Sequence, residues 1–335
     1  GKRGNVIRQS SREPSATVGP IKVRTTLKGR VVDPSALRDV CALLDANGKA
    51  APRRRDLLIE YLHRIQDRYG HLSAVHLAAL AAELKMAQAE MYEVATFYHH
   101  FDVVKEGEAP PPALTVRVCD SLPCEMAGAK DLLARLPRIL GREVRVIPAP
   151  CIGRCETAPT AVVGQNPVPQ ATVEKVSRLV AAKATRHVPG RYIGYGEYRK
   201  GGGYKLFAEC LAGKRDYTQF ISTMEDSGLR GLGGAGFPAG RKWKIVRAEP
   251  APRNMAVNID EGEPGTFKDR YYLERDPHRF IEGMLIAAKV VGIDACYVYL
   301  RDEYHQCREI LEAELLALHI NPPGGRGGNY RLPKI

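Results

Sequence analysis

The chain has 335 residues, of which 44% are hydrophobic and 26% are charged. This composition is ordinary for a soluble globular protein, and the length allows two or three domains. No stretch approaches the roughly 18 apolar residues of a membrane helix, and the polar start, GKRGNVIRQSSREP, lacks the apolar region of a signal peptide. We therefore expect a cytoplasmic protein without membrane insertion, in which clustered cysteines bind metal more often than they form disulfides.

The net charge of +12 is concentrated in a basic N-terminal arm, residues 1–32. Its first 30 residues hold eight lysines and arginines against one acid, a charge of +7. A basic arm can bind nucleic acid, but no basic surface with interleaved aromatic residues follows it. We favour an arm that lies on an acidic partner subunit or stays disordered, and we expect no nucleic-acid partner.

Residues 33–105 have the periodicity of a small helical bundle. PSALRDVCALLDANG is predicted to form a short helix that Asn47-Gly48 ends. Gly70 is expected to stop a second helix and Ser73 to cap a third. The last helix is predicted from a stripe of apolar and aromatic residues at helical spacing: Met91, Ala95, Tyr98 and Phe101. The bundle contains no residue pattern that suggests chemistry.

A Pro-rich linker, KEGEAPPPA, precedes a compact α/β unit at 114–186. Strands are predicted over LTVRVCD, EVRVIPAP and AVVG, and helices over AGAKDLLARL and residues 171–182. The order strand–helix–strand–helix favours a single layered domain.

Two cysteine pairs directly follow the first two predicted strands: Cys119 with Cys124, and Cys151 with Cys155. If the strands are parallel neighbours they lie ~4.8 Å apart, and all four sulfurs converge at one sheet edge. Four thiolates suit zinc or an iron–sulfur cluster, and ligand type alone does not decide. The spacings are wide for zinc hooks, whereas plant-type [2Fe–2S] sites also contain an x4 spacing. A structural zinc and, less readily, disulfides remain alternatives.

A third unit occupies residues 190–335, with helices predicted over 216–227, 277–291 and 303–319 and strands over 254–260 and 295–301. Its loop GLRGLGGAGF contains G-x-G-x-x-G. A Rossmann fingerprint must follow a strand, but a helix is predicted before this loop, so we do not expect a Rossmann turn. The glycines still allow close approach of backbone N–H groups to a phosphate or ring. Arg230, Arg241 and Lys242 add positive charge, and Phe237 offers a stacking face. A glycine-rich surface loop is the alternative.

An acidic turn, VNIDEGEPGTFKDR, follows the strand at 254–260. Asp260, Glu261 and Glu263 repel one another unless hydroxyls, amides or cations satisfy them. A ribityl or ribose chain would do so, and Asn258 adds an amide. The alternative is a solvated acidic loop.

The motif VCDSLPC…PCIGRCETAP, C-x4-C…C-x3-C, resembles the thioredoxin-like [2Fe–2S] subunit of NADH dehydrogenases, and YEVATFYHHF is similar to the helical start of that subunit. The resemblance implies that Cys119 and Cys124 hold one iron and that Cys151 and Cys155 hold the other. The 26 residues between the pairs are fewer than in respiratory-complex members and closer to soluble formate dehydrogenases.

GLRGLGGAGFPAGRKW together with NIDEGEPGTFKDRYYLERDPHRFIEG resembles the FMN- and NADH-binding subunit of the same dehydrogenases. By this resemblance, FMN is held by Gly231, Gly233, Lys242, Asn258, Asp260, Glu261 and Gly262. The nicotinamide nucleotide is assigned to Gly234, Ala235, Phe237 and Glu263. Gly262 stands where the family usually has serine. The later GAGAYICGEE segment and the [4Fe–4S] domain are absent from this sequence, so we expect that cluster in a missing C-terminal part.

The predicted fold class is multidomain α/β and α+β: a helical bundle, a thioredoxin-like [2Fe–2S] domain and an incomplete FMN/NADH-binding α/β domain. We expect the NAD-reducing, electron-transfer subunit of a soluble NAD-dependent formate dehydrogenase, with no catalytic side chain beyond the flavin. Its partner would be a catalytic alpha subunit with a molybdenum or tungsten pterin site and further Fe–S clusters. The alternatives are the diaphorase subunit of an NAD-reducing hydrogenase, a fragment of NADH-quinone oxidoreductase, a ferredoxin-like carrier without flavin, and a non-catalytic zinc-stabilised scaffold.

Overall fold

The computed structural model describes residues 31–45, 52–323, Pro333 and Ile335. The charged residues of the basic arm and the predicted helix stop at Asn47-Gly48 lie outside this part. The chain divides into two compact units, one up to Glu108 and one from Ala109 onward. This division falls within the Pro-rich segment that the sequence marks as a linker.

The first unit is a set of helices with one short parallel strand pair. Its elements are α1 (Pro34–Leu44), α2 (Leu58–Tyr69), β1 (Leu72–Ser73), α3 (Ala74–Glu83), α4 (Gln88–Phe97) and β2 (Val103–Val104). Gly70 ends α2 with a left-handed φ of 75°, and the Ser73 side chain caps α3 by accepting from the His76 amide. The predicted last helix is too long, because the extended backbone of Tyr98 ends α4 and places Phe101 beyond it.

The second unit begins with a four-stranded sheet and the helices that cover it. Its elements are β3 (Leu114–Cys119), α5 (Leu122–Met126), α6 (Ala129–Leu140), β4 (Val144–Ala149), β5 (Ala161–Val163), β6 (Asn166–Val168) and α7 (Val173–Ala181). The strand order is β4-β3-β5-β6. The predicted parallel pairing of β3 and β4 is confirmed, with Cys119 opposite Ala149. The carboxyl ends of both strands therefore lie at one sheet edge.

The remainder of the second unit is a parallel strand pair surrounded by helices. Its elements are α8 (Tyr195–Lys200), α9 (Lys205–Leu211), α10 (Tyr217–Asp226), α11 (Ala239–Ala248), β7 (Asn254–Ile259), α12 (Lys268–Leu273), α13 (Pro277–Val291), β8 (Ala295–Leu300) and α14 (His305–Ile320). Ile259 and Leu300 are opposite each other at the ends of β7 and β8. The segments that leave these strands consequently start side by side. None of the described helices combines the length and the apolar character needed to cross a bilayer.

Buried polar side chains anchor the Gly- and Tyr-rich segment before α9. His278, at 0% exposure, bonds to the Tyr204 hydroxyl at 2.8 Å through Nδ1 and to Glu314 Oε2 at 2.6 Å through Nε2. Glu282 accepts from the Tyr198 hydroxyl at 2.7 Å and from the Tyr204 amide at 2.9 Å. Because each buried carboxylate has several donors, the network satisfies polar groups that would otherwise destabilise the core.

The packing of α11 on α10 depends on Gly240. A Cβ there would lie 2.5 Å from the amide nitrogen of Glu225, which is backbone and cannot move aside cheaply. We expect Gly240→Ala to lower the free energy of unfolding by about 1–3 kcal/mol through overpacking, measured by thermal and urea unfolding. The matched control is Gly233→Ala, since a Cβ at Gly233 meets nothing within 4 Å. Equal stability of the two variants would contradict this account of the helix contact.

Candidate functional site

The four motif cysteines come together at the carboxyl ends of β3 and β4. Cys119 ends β3, Cys124 lies in α5, and Cys151 and Cys155 lie in the loop after β4. Cys119, Cys124 and Cys151 are buried and Cys155 is half-buried. The sulfurs of Cys151 and Cys155 lie 3.4 Å apart. The loops therefore bring together the residues that the sequence predicts as ligands.

Hydrogen bonds between the thiols change their pKa values in opposite directions. Hydrogen bonds from the thiols of Cys124 and Cys151 lower the pKa of Cys119. In return, the bond to Cys119 and then burial raise the pKa of Cys124 and of Cys151. Thiolate is the form that binds metal, so the site holds one ligand ready and would release protons as the other sulfurs bind.

The chemistry of the donors fits a metal centre of four thiolates. All four cysteines carry free thiols, three of them buried, at one edge of the sheet. Cysteine thiolates are ligands of both structural zinc and [2Fe–2S] clusters. The residues therefore fit the predicted cluster, with zinc as the alternative that the ligand type also allows.

The glycine loop forms a closed, exposed turn between α10 and α11. The Gly231 amide donates to the Phe237 carbonyl at 2.9 Å, the Ala239 amide donates to the Leu229 carbonyl at 2.8 Å, and the Arg230 guanidinium donates to the Gly236 carbonyl at 3.0 Å. Gly231, Gly233, Gly234, Ala235 and Phe237 all face solvent. A helix precedes the loop, as the sequence predicts, so the loop is not a Rossmann turn.

Two glycines of the glycine loop have no explanation within the chain. Gly231 and Gly233 have no left-handed φ, and a Cβ on either of them would meet no atom closer than 3.8 Å. Neither backbone strain nor packing requires glycine at these two positions. They fit a ligand that approaches the backbone closely, which is the use of glycine in phosphate and ring sites. Gly262 is equally unconstrained, but the family usually has serine there, so a ligand does not require glycine at that position.

The acidic turn presents most of its polar groups to solvent. The Asn258 side chain accepts from the Asp260 amide at 2.9 Å, and the Gly262 amide donates to the Asp260 carbonyl at 3.1 Å. Asn258, Asp260, Gly262 and Glu263 are exposed, as is Lys242 in α11. In the described part of the chain no hydrogen bond joins this turn to the glycine loop. Both segments therefore keep their polar groups available to a ligand.

Glu261 is the exception, because its carboxylate points into the protein. The residue is 4% exposed, and its oxygens accept from the Tyr304 hydroxyl at 3.0 Å and the Asp269 amide at 3.1 Å. Lys268 also pairs with it at 3.5 Å. The side chain assigned to FMN by resemblance thus holds the turn itself in place.

Two buried arginines join the acidic turn to the cysteine loop, and sequence reasoning missed both. Arg301 donates to the carbonyls of Glu261 and Cys151, the latter at 2.5 Å. Arg270 donates to the Gly153 carbonyl at 2.9 Å. The sequence did offer one signal for Arg301. The residue directly follows β8, and the parallel partner strand β7 leads into the acidic turn, so Arg301 and the turn start side by side.

A direct contact also links the turn to a predicted cluster ligand. The amide of Gly265 donates to the sulfur of Cys155 at 3.1 Å. The Tyr304 ring fills the space over Gly153, where a Cβ would collide with it. The predicted cluster site and the predicted flavin turn are therefore neighbours in one compact unit.

Two sequence families match the chain. The thioredoxin-like [2Fe-2S] ferredoxin family matches residues 44–184, and the Nuo51 FMN-binding domain matches residues 224–321. Subunit alpha of NAD-reducing hydrogenase HoxS from Cupriavidus necator is 30% identical over 319 residues, covering 82% of this chain and 51% of the relative. The mitochondrial NADH-ubiquinone oxidoreductase 51 kDa subunit of Neurospora crassa is 40% identical over 130 residues, covering 35% of this chain and 26% of the relative.

One solved structure aligns with most of the chain. An NAD⁺-reducing [NiFe]-hydrogenase in the H2-reduced state aligns with a TM-score of 0.64 at 27% identity, covering 82% of this chain and 50% of that chain. This chain spans about half the length of these hydrogenase subunits.

Removing a cysteine ligand is expected to abolish the cluster. Dithionite-reduced, anaerobically purified protein should give the S = 1/2 EPR signal of a [2Fe–2S] centre, and Cys124→Ala and Cys151→Ala should lose it, because each iron needs both sulfurs of its pair. Cys41→Ser, in the first unit, is the control that keeps the signal. A protein that gives no EPR signal and contains stoichiometric zinc would instead support the alternative of a non-catalytic, zinc-stabilised scaffold.

Filling the space beside the glycine loop is expected to weaken flavin binding. Gly233→Ala should raise the Kd for FMN about tenfold, a loss of ~1.4 kcal/mol, as measured by quenching of flavin fluorescence. Gly196→Ala is the matched control, because Gly196 is an exposed glycine with nothing within 4 Å of its Cβ position. Unchanged affinity in Gly233→Ala would show that the loop does not approach the flavin.

Proposed function

Since the chain joins a thioredoxin-like [2Fe–2S] domain to an Nuo51 FMN-binding domain, we propose that it is the NAD(H)-linked, diaphorase-type electron-transfer part of a multisubunit oxidoreductase. The observation that carries the proposal is the bond from Gly265, in the predicted flavin turn, to the Cys155 sulfur at 3.1 Å. A flavin-binding turn in contact with a predicted cluster ligand would hold the two groups near each other, and electron exchange between them requires proximity.

The side chains of this protein bind and orient rather than react. When bound, FMN exchanges a hydride with NAD(H) and single electrons with iron–sulfur clusters. The exposed carboxylates of Asp260 and Glu263 accept hydrogen bonds from hydroxyl groups of the ligands, and Lys242 supplies positive charge. Phe237, with Arg241 5.9 Å from its ring centre, offers a face for stacking. The four cysteines hold the cluster.

A molybdenum or tungsten formate-oxidising subunit is the first candidate for the catalytic partner. Its support is the 26-residue gap between the cysteine pairs, which resembles soluble formate dehydrogenases. A hydrogenase is the second candidate, because subunit alpha of an NAD-reducing hydrogenase is similar over 82% of this chain. The [4Fe–4S] cluster expected from the resemblance stays a prediction.

The proposal is tested by adding NADH anaerobically to the chain loaded with FMN and cluster. We expect bleaching of the flavin absorbance together with the S = 1/2 signal of the reduced cluster, and no cluster signal when FMN is omitted. Cys124→Ala is the control, in which NADH should still bleach the flavin. If dithionite reduces the cluster but NADH does not reduce it in the presence of FMN, the chain is an electron carrier without flavin, and the proposal is wrong.

The partner is tested on the native complex, isolated through a tag on this chain. We expect molybdenum or tungsten with a pterin, and formate-dependent reduction of NAD⁺. Nickel in the complex and H2-dependent reduction would overturn the formate assignment in favour of a hydrogenase.

A further inference from the structure

We propose that Arg301 is a positioning residue that couples the flavin turn to the cluster ligand loop, so that FMN binding shifts the reduction potential of the [2Fe–2S] centre. This inference rests on the proposed function, since it requires both groups to bind. It goes further by assigning the communication between them to one side chain.

Arg301 bridges the backbones of the two sites. Its guanidinium donates to the carbonyl of Glu261 in the turn, to the carbonyl of Cys151 at 2.5 Å, and to Glu303 Oε2 at 2.9 Å. The residue is 7% exposed. The guanidinium carries its charge there, as arginine does throughout proteins. A planar fork holds its donors in fixed, well-separated directions, whereas the three donors of a lysine all radiate from one nitrogen.

The surroundings of Arg301 leave the two segments little freedom to move separately. The Tyr304 hydroxyl holds the Glu261 carboxylate at 3.0 Å, and the same ring lies against Gly153 in the cysteine loop. Arg270 donates to the Gly153 carbonyl and pairs with Glu274 at 2.8 Å and with Glu156. Arg154 also pairs with Glu274, at 3.0 Å. A displacement of the turn is therefore transmitted to the carbonyl of a cluster ligand.

The ligand-facing and cluster-facing groups alternate along the turn. Asp260 and Gly262 are exposed toward the proposed flavin site, whereas the Glu261 carbonyl between them is bound by Arg301. A flavin that fixes Asp260 and Gly262 also fixes that carbonyl. Cluster potentials depend on solvent exposure and on hydrogen bonds to the sulfurs, such as the one from the Gly265 amide of this turn to Cys155.

Linkage makes the coupling measurable from either side. If FMN shifts the cluster potential, reduction of the cluster changes the affinity for FMN by the same factor. We expect at least a threefold factor, which is about 28 mV at 59 mV per tenfold change for one electron. The midpoint potential is measured by EPR-monitored redox titration, before and after saturation with FMN.

Arg301→Gln and Arg301→Lys are compared with the wild-type chain. Both variants should lose more than half of the FMN-dependent shift, and the lysine variant should do so although it keeps the charge. Arg191→Gln is the matched control, because that side chain is 89% exposed and, among the described residues, forms an ion pair with Glu197. It should retain the full shift.

The FMN-dependent shift of the cluster potential can contradict the role of Arg301 in two ways. A shift that persists in both Arg301 variants reflects the through-space charge of FMN and overturns the inference, as does the lack of any shift in the wild-type chain. If the Arg301 variants fail to assemble the cluster, Tyr304→Phe decides, because it removes only the hydroxyl donor to Glu261 and should reduce the shift. A wild-type chain without cluster or without FMN binding overturns the proposed function as well.

Discussion

The second unit depends on a buried charge network between the cysteine loop and the acidic turn. Arg270 and Arg301 lie almost completely out of water, and their partners include Glu274, Glu303 and three backbone carbonyls. Removing one member of such a network leaves an unpaired buried charge, which costs about 3–5 kcal/mol. Apolar side chains of similar volume could stabilise the contact without that risk. Charged groups at this place therefore point to a requirement for fixed geometry between the two sites.

The network also explains why two regions predicted as separate domains form one compact unit. The sequence indicated a cysteine domain at 114–186 and a flavin domain at 190–335, each with its own core. The structure joins them because each contains a parallel strand pair, and the loops that leave the two pairs meet. Cys151 follows β4, whereas Glu261 and Arg301 follow β7 and β8. Contacts between loops of different domains leave no periodic pattern in a sequence, and this is why the arginines were missed.

Local signals in the sequence predicted much of the remainder. Helix ends at Gly70 and Ser73, the helix at 277–291 and the parallel pairing of β3 with β4 follow from capping chemistry and alternation. The family comparisons confirm the expected combination of a thioredoxin-like [2Fe–2S] domain with an FMN-binding domain. The short helices α8, α9, α11 and α12 were not predicted, because their glycines, tyrosines and charged residues give no apolar stripe. Tertiary contacts stabilise such helices more than intrinsic propensity does.

The glycines separate what the fold requires from what a ligand requires. Gly234 has a left-handed φ of 104°, and Gly240 has no room for a Cβ, so the backbone or the packing accounts for each. Gly231 and Gly233 satisfy neither condition, and glycine at such positions costs conformational entropy on folding. Both lie in an exposed loop within the region that the FMN-binding family matches. A glycine that relieves no strain and fills no tight contact there is the residue type that close approach of a flavin would require.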